Sequence, residues 1–280
     1  MNQASPSRPT VIIAHGWQQS SNSVWVIEAK NTHLSTADKN IITLDWSKDA
    51  VTLDYPQAAG AVPLVGAYLA KQFHQWVVLK LINADTSRFV GFSLGAQVIG
   101  ICGQEYQNLT GGQKLKFLIA LEPAAPLFEG KPIAERLDKT DGDLVHVFHT
   151  SKTGMTERCG HVDVYFSYSE IIFFIFQIQN CGVEQLGCPT ETGLPADKAG
   201  LQTILCDHVR APAYYIISIT SSNFLAALCT SCDQFKRNGC NISAPIVVGD
   251  RLDPATGDGA YYLTTLGKLP FAKGIAGLQM

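Results

Sequence analysis

The chain carries the pentapeptide Gly91-Phe92-Ser93-Leu94-Gly95 directly after an apolar run and directly before a segment with helical spacing. A serine in this frame occupies a sharp turn from a strand into a helix, and the turn exposes its hydroxyl at the edge of a sheet. Glycines on both sides allow such a turn to close without collisions between side chains. The setting therefore predicts that Ser93 is a nucleophile, although chance matches to so short a frame are common.

Apolar runs and helical periodicity alternate over the first 150 residues. The predicted strands are 11–14, 40–44, 87–92, 115–121 and 144–149, and the predicted helices are 61–82 and 94–106. This order is typical of βαβ units and a mainly parallel sheet with helices on both faces. Because parallel strands end at a shared edge, Trp17, Ser93 and Glu122 can all line one cleft. No linker divides residues 1–280, so we expect a single domain.

Composition excludes several classes of protein. The 280 residues carry a net charge of −3, which gives no electrostatic reason to expect a nucleic-acid partner. The longest apolar run, 171–178, is too short to cross a bilayer, so no transmembrane segment is predicted. Eight cysteines favour disulfides and an oxidising compartment, although the N-terminus shows no apolar signal-peptide core.

A serine nucleophile requires a base, and the base requires an acid that orients it. Glu122 is the first acidic residue at a predicted strand end after Ser93, although a solvated loop charge is the alternative interpretation. Of the histidines that follow, His146 and His149 lie in an apolar strand, where a structural role is the default. His208 is predicted to lie in a loop at the start of a helix, and a loop late in the chain is where the base is expected. His161 is interpreted as structural.

The oxyanion that forms during acyl transfer requires two backbone donors. One is predicted to be the N–H of Leu94, directly after the nucleophile, and the positive end of the following helix adds to it. The other donor is predicted to be the N–H of Trp17, in the loop after the first strand. Acyl transfer through these groups requires no cofactor, and no metal is predicted.

Several sequence blocks, in order and spacing, resemble the animal pancreatic-lipase family, especially its insect members and the related phospholipases A1. The blocks are AHGW (14–17), DWS (45–47), GFSLGAQ (91–97), LEPAAPLF (121–128), HVFHTS (146–151), GHVDVY (160–165), CDHVRAPAYY (206–215) and GAYYLTT (259–265). The resemblance implies an α/β-hydrolase fold with a disulfide-rooted lid, secretion, and hydrolysis of lipid esters at a lipid–water interface. It also implies the nucleophile Ser93, the acid Glu122 and the base His208.

The chain departs from the family pattern in four places. Glu122 stands where the family usually has Asp, and Phe92 precedes the nucleophile where His is frequent. The chain also begins closer to the AHGW block, and we expect no C-terminal lipid-binding domain of the vertebrate type. About thirteen residues, 166–178, follow GHVDVY before a degraded form of the family's next turn. This insert is open to three interpretations: an apolar flap that contacts lipid, a buried extension of a strand, or retained non-coding sequence.

The resemblance also implies disulfides and a metal site. Matching cysteines in the family pair as Cys188–Cys206 at the root of the lid and as Cys229–Cys240. Cys159–Cys181 is a further expected pair, Cys102 is expected to be a buried thiol, and Cys232 is left unassigned. Asp138 and Asp141 with the Arg136 carbonyl resemble a structural calcium site of vertebrate members, but a charged surface turn explains them equally.

The favoured function is therefore a secreted serine hydrolase that acts on triacylglycerol through an acyl-enzyme. Phospholipase A1 activity is the nearest alternative. Phospholipase members of the family tend to have shorter lids, whereas the lid here is intermediate in length and the insert lengthens the rim of the cleft, which favours triacylglycerol. A yolk-type lipid carrier with little or no activity is the second alternative. A hydrolase of small soluble esters is the third.

Overall fold

The computed structural model describes residues 4–172, 176–188 and 196–280, which form two compact units, Met1–His146 and Val147–Met280. Within the described residues of the first unit the order of elements is β1 (Thr10–Ala14), α1 (Val24–Thr36), β2 (Asn40–Leu44), α2 (Ser47–Ala50), α3 (Tyr55–Val78), β3 (Ser87–Phe92), α4 (Leu94–Thr110) and β4 (Leu115–Leu121). Strand β5 (Gly142–His149) begins in this unit and continues into the next.

The sheet of the first unit has the strand order β2-β1-β3-β4-β5, and β2, β1, β3 and β4 are mutually parallel. The register pairs Ala14 with Gly91, and Gly91 with Ala120. The loops after β1, β3 and β4 therefore emerge at one edge of the sheet, as predicted. Those loops carry Trp17, Ser93 and Glu122.

Helix α3 begins six residues before the predicted start at residue 61. The Asp54 side chain caps it by accepting the N–H of Gln57 at 3.1 Å, and Pro56 stands in the first turn, where a missing N–H costs nothing. The helix packs closely on α4, since a Cβ at Gly66 would lie 2.8 Å from Ile101 Cβ. The helix ends at Val78, four residues before the predicted end at residue 82, and Leu79, which follows it, is exposed.

The second unit contains, within its described residues, β6 (Val162–Ile172), β7 (Phe176–Cys181), α5 (Ala196–Thr220), β8 (Leu225–Cys229), α6 (Cys232–Lys236), β9 (Asn241–Val247) and β10 (Gly259–Thr264). Strand β10 pairs parallel with β6 and antiparallel with β8, and β8 pairs antiparallel with β9. The insert at 166–178 extends β6 and returns as β7 in an antiparallel hairpin. The backbone of the insert therefore agrees with the interpretation that it extends a strand. Residues 173–175 lie outside the described residues.

Three disulfides join cysteines of the second unit: Cys181–Cys232, Cys188–Cys206 and Cys229–Cys240. The expected pair Cys159–Cys181 is wrong. Cys181 ends β7 and packs with Cys232 against a small core of Phe235 and Tyr262, whereas Cys159 is buried with its N–H directed to Asp163. Of the predicted lid between Cys188 and Cys206, residues 189–195, including Leu194, lie outside the described residues, and residues 196–205 belong to α5.

Burial raises the pKa of the Cys102 thiol in α4, which fits the expected buried thiol. None of the helices in the described ranges combines the length and apolar character needed to span a bilayer.

Candidate active site

Ser93 occupies a left-handed backbone conformation between β3 and α4. Its φ is 56° and its ψ is −120°, and α4 starts at the next residue. Such a conformation costs a non-glycine residue about 1–3 kcal/mol and persists only where surrounding contacts enforce it. The strand-to-helix turn that the sequence predicts at Ser93 is therefore present.

The two glycines of the frame are required by close contact between backbones. A Cβ at Gly91 would lie 2.3 Å from the Gly95 carbonyl oxygen, and a Cβ at Gly95 would lie 2.3 Å from the Ala14 carbonyl oxygen. Any side chain at Gly95 would push the start of α4 away from β1. The turn therefore closes only with glycine at both positions, because α4 rests directly on the end of β1.

Glu122 is joined to the Ser93 turn through the residues on either side of it. The Ser93 N–H donates to the Leu121 carbonyl at 3.0 Å, and the Ala124 N–H donates to the Ser93 carbonyl at 3.3 Å. Glu122 is fully buried and has a φ of 49°, a second left-handed residue beside the first. The first unit thus holds the predicted nucleophile and the predicted acid on two adjoining turns.

The loop after β1 lies against Ser93. A Cβ at Gly16 would be 3.0 Å from Ser93 Cβ, so a side chain there would have to shift the Ser93 turn by a few tenths of an ångström. The Gly16 N–H is occupied, because it donates to Gln19 Oε1 at 3.1 Å. Within the described residues the backbone N–H groups of Trp17 and Leu94 donate to no protein acceptor. Both predicted oxyanion donors are therefore available to a ligand.

His15 fixes the shape of this loop. The Trp46 N–H donates to His15 Nε2 at 3.2 Å, so Nε2 carries a lone pair, and Nδ1 then carries the hydrogen that it donates to the Gly16 carbonyl at 3.0 Å. The Trp46 indole N–H also donates to the His15 carbonyl at 2.8 Å, and the two rings stack. Burial lowers the pKa of His15, against the opposing effects of the Gly16 carbonyl and Asp45. A neutral His15 therefore anchors the loop that carries the Trp17 N–H.

This state of His15 predicts a loss of stability at acid pH. A histidine whose folded-state pKa lies below the unfolded value contributes stability above about pH 6.5 and loses it as the pH falls further. The melting temperature of the wild type is expected to fall between pH 7.5 and 5.5 by more than that of His15→Asn. If the melting temperatures of the two proteins fall by the same amount over that range, protonation of His15 does not contribute to the loss of stability.

His208 lies within helix α5, not in the predicted loop. The residues from Leu201 to Ala211 contain no glycine or proline, so nothing in them ends the helix before His208. The disulfide Cys188–Cys206 and a hydrogen bond of 2.6 Å from the Gln185 N–H to Asp207 Oδ1 fix the backbone beside it. His208 Nδ1 is 3.2 Å from Thr153 Oγ1, in the loop 150–161 that follows β5.

Asp163 and His149 hold loop 150–161, in keeping with the structural role expected for His149. His149 Nδ1 lies 2.7 Å from the Met155 carbonyl and its Nε2 lies 2.9 Å from Asp163 Oδ1, and both side chains are buried. Asp163 also accepts the N–H groups of Cys159 and Gly160 at 3.0 and 3.2 Å, as an ionised carboxylate does. Both ring nitrogens of His149 therefore carry hydrogen, and the two residues form a buried ion pair.

The turn around Asp138, which resembles a calcium site in sequence, is closed by hydrogen bonds of its own. Asp138 and Asp141 cap a short turn reciprocally, and Gln104 Nε2 donates to the Arg136 carbonyl at 3.0 Å. The carbonyl that would face a metal thus faces an N–H donor. Burial raises the pKa of Asp141 to about 8, which favours a neutral carboxyl group near neutral pH. Among the described residues no group of three or more His, Cys, Asp or Glu side chains is arranged to hold a metal ion.

A parallel sheet, a left-handed serine between strand and helix, and a carboxylate after the next strand define the α/β-hydrolase fold. The family model described as Lipase matches residues 2–245, and the chain belongs to this family.

Several known proteins are similar to this chain. Lipase member H from Xenopus tropicalis is 34% identical over 251 residues, which cover 84% of this chain and 49% of that protein. Phospholipase A1 from Vespula squamosa is 30% identical over 271 residues, which cover 95% of this chain and 83% of that protein. The solved α/β hydrolase MGS-M1 from a deep-sea metagenome library is 18% identical, with a TM-score of 0.35 over 53% of this chain and 59% of its own. The chain spans about half the length of the lipase member H relatives that it matches.

Proposed function

We propose that the protein is a secreted carboxylic-ester hydrolase that acts on lipid esters through an acyl-enzyme at Ser93. The observation that carries the proposal is the left-handed Ser93 turn with two available N–H groups beside it. Membership of the lipase family supports the lipid substrate, and three disulfides are in keeping with an extracellular protein.

In the proposed reaction Ser93 Oγ attacks the ester carbonyl carbon while His208 Nε2 takes the hydroxyl proton. The N–H groups of Trp17 and Leu94 bind the oxyanion of the tetrahedral intermediate. The intermediate expels the alcohol, which receives its proton from His208. Water, deprotonated by His208, then attacks the acyl-enzyme, and the second tetrahedral intermediate releases the fatty acid as Ser93 Oγ leaves and takes the proton back from His208. Glu122 orients the imidazole and balances its positive charge.

The proposed substrate is triacylglycerol, and phospholipid is the second candidate. The Vespula squamosa relative named Phospholipase A1 matches 95% of this chain, and this similarity favours the second candidate. The carrier alternative is opposed by the presence of Ser93, Glu122 and His208 together.

Rates on emulsified triolein and on phosphatidylcholine vesicles, measured with the same purified protein, separate these candidates. Triolein is expected to be hydrolysed faster, with release of oleate. A faster release of fatty acid from phosphatidylcholine would assign the phospholipase activity instead. A short-chain ester titrated through the concentration at which it aggregates provides the third comparison. The rate is expected to rise at that point, and a rate that saturates below it would favour soluble esters.

A further inference from the structure

The loop 150–161 is fixed along its whole length, so the position of Thr153 is determined. At its start the Gln185 side-chain amide donates to the Thr150 carbonyl at 2.9 Å. In its middle His149 donates to the Met155 carbonyl at 2.7 Å. At its end Asp163 accepts the N–H groups of Cys159 and Gly160. A loop pinned at these three places holds a side chain in one direction, which an exposed, unanchored loop does not.

Two charged side chains of this loop pair with residues other than His208. Lys152 pairs with Glu184 at 2.8 Å, and Arg158 pairs with Asp163 and Asp258. On α5, Asp207 beside His208 accepts the Gln185 N–H. Thr153 differs from them because its hydroxyl oxygen lies 3.2 Å from His208 Nδ1.

Two hydrogen bonds join Thr153 to Ser151 and allow its hydroxyl oxygen to accept from His208. The Thr153 N–H donates to Ser151 Oγ at 3.2 Å, and the two hydroxyl oxygens are 2.7 Å apart. If the Thr153 hydroxyl also donates to Ser151 Oγ, its lone pairs face His208 Nδ1 and accept the Nδ1–H. This direction leaves Nε2 without a hydrogen, which is the tautomer that a general base requires.

We propose that Thr153 is a positioning residue for His208, which holds the Nδ1–H of the imidazole through its hydroxyl oxygen and is itself held by Ser151. This inference rests on the proposed function, in which His208 is the base. Glu122 supplies the negative charge and orients the imidazole, and Thr153 supplies a second, neutral acceptor for the same Nδ1–H, which restricts the ring plane and the tautomer further. A neutral acceptor cannot balance the imidazolium charge, so its removal should slow catalysis and not abolish it.

The test replaces Thr153 by the isosteric valine, which keeps the volume and removes the hydroxyl. Thr153→Val is expected to lower kcat on a lipid ester roughly tenfold, the effect of losing one hydrogen bond to a group that becomes charged, with KM unchanged. The acid limb of the pH profile of kcat/KM is expected to move to lower pH, because the lost acceptor favoured the imidazolium. Thr153→Ser should restore both quantities. Thr156→Val, the same change at an exposed position of the same loop, is the matched control and should behave as the wild type.

Three results would overturn the inference. They are an unchanged rate and pH profile in Thr153→Val, an acid limb that moves to higher pH, and an equal effect of Thr156→Val. If Thr153→Val does not fold, Thr153→Ala, which introduces no new bulk, is measured in the same way and with the same outcomes. Ser93→Ala, assayed in parallel, separates the two proposals. Full activity in Ser93→Ala removes both, whereas an inactive Ser93→Ala with a normal Thr153→Val removes this inference alone.

Discussion

Ser93→Ala is expected to lower the turnover of a lipid ester by roughly three or more orders of magnitude, as for other serine nucleophiles supported by a base and an acid. The reason is that the acyl-enzyme cannot form without the hydroxyl, while the N–H groups of Trp17 and Leu94 would still bind the substrate carbonyl. Release of fatty acid from triolein measures the effect directly. A fluorophosphonate probe measures it independently, because the probe labels an activated serine and should label the wild type only.

Ser87→Ala is the matched control for this change. Ser87 lies at the other end of β3, where its hydroxyl donates to the Asn83 carbonyl at 2.6 Å, so it should keep both activity and labelling. Circular dichroism shows whether each variant is folded. A folded Ser93→Ala protein that hydrolyses triolein at the wild-type rate would rule out the acyl-enzyme. A folded wild type that neither reacts with the probe nor hydrolyses esters would favour the carrier.

Asp163→Asn is expected to reduce the free energy of unfolding by about 3–5 kcal/mol, because it leaves the charge of His149 buried without its partner. The carboxylate is fully buried and also accepts the N–H groups of Cys159 and Gly160, so the amide that replaces it cannot satisfy all of these donors. Urea unfolding at pH 7 measures the loss.

Asp143→Asn provides a comparison at a pair of the same length. Lys116 Nζ lies 2.9 Å from Asp143 Oδ2, the distance that separates His149 from Asp163, but both side chains are nearly half exposed. Water screens this pair, so its loss is expected to cost about 1 kcal/mol or less. Equal losses in the two variants would show that His149 and Asp163 do not form a buried charged pair.

The sequence was sufficient to predict the part of the fold that positions Ser93. The five predicted strands agree with β1 to β5 within two residues, because fully buried parallel strands are short apolar runs bounded by polar residues. Helix α1 was not predicted, since apolar Val24 and Leu34 are exposed while His33 is buried, which obscures the periodicity. Here the packing of the unit overrides the local pattern.

Features that depend on long-range pairing were harder to predict. The partner of Cys181 depends on where the hairpin of β6 and β7 returns, and no spacing in the sequence encodes that return. The role of Asp163 was not predicted either, because it depends on its proximity in the fold to His149. The available signal was the position of Asp163 four residues after Cys159, since a carboxylate there can accept the N–H groups of the loop that precedes it. The catalytic roles of Ser93, Glu122, His208, Trp17 and Leu94 stay predictions.

Gly91 and Gly95 are required by close contact between main chains, whereas the hydroxyl of Ser93 is required only for the proposed reaction. A relative without hydrolase activity could lack the hydroxyl of Ser93, yet it would still need Gly91 and Gly95 to seat α4 on β1. Preservation of this glycine pair therefore reflects the fold and does not indicate activity. Activity has to be judged from the hydroxyl at position 93, which the fold does not require, although the positive φ there restricts the residues that can replace serine.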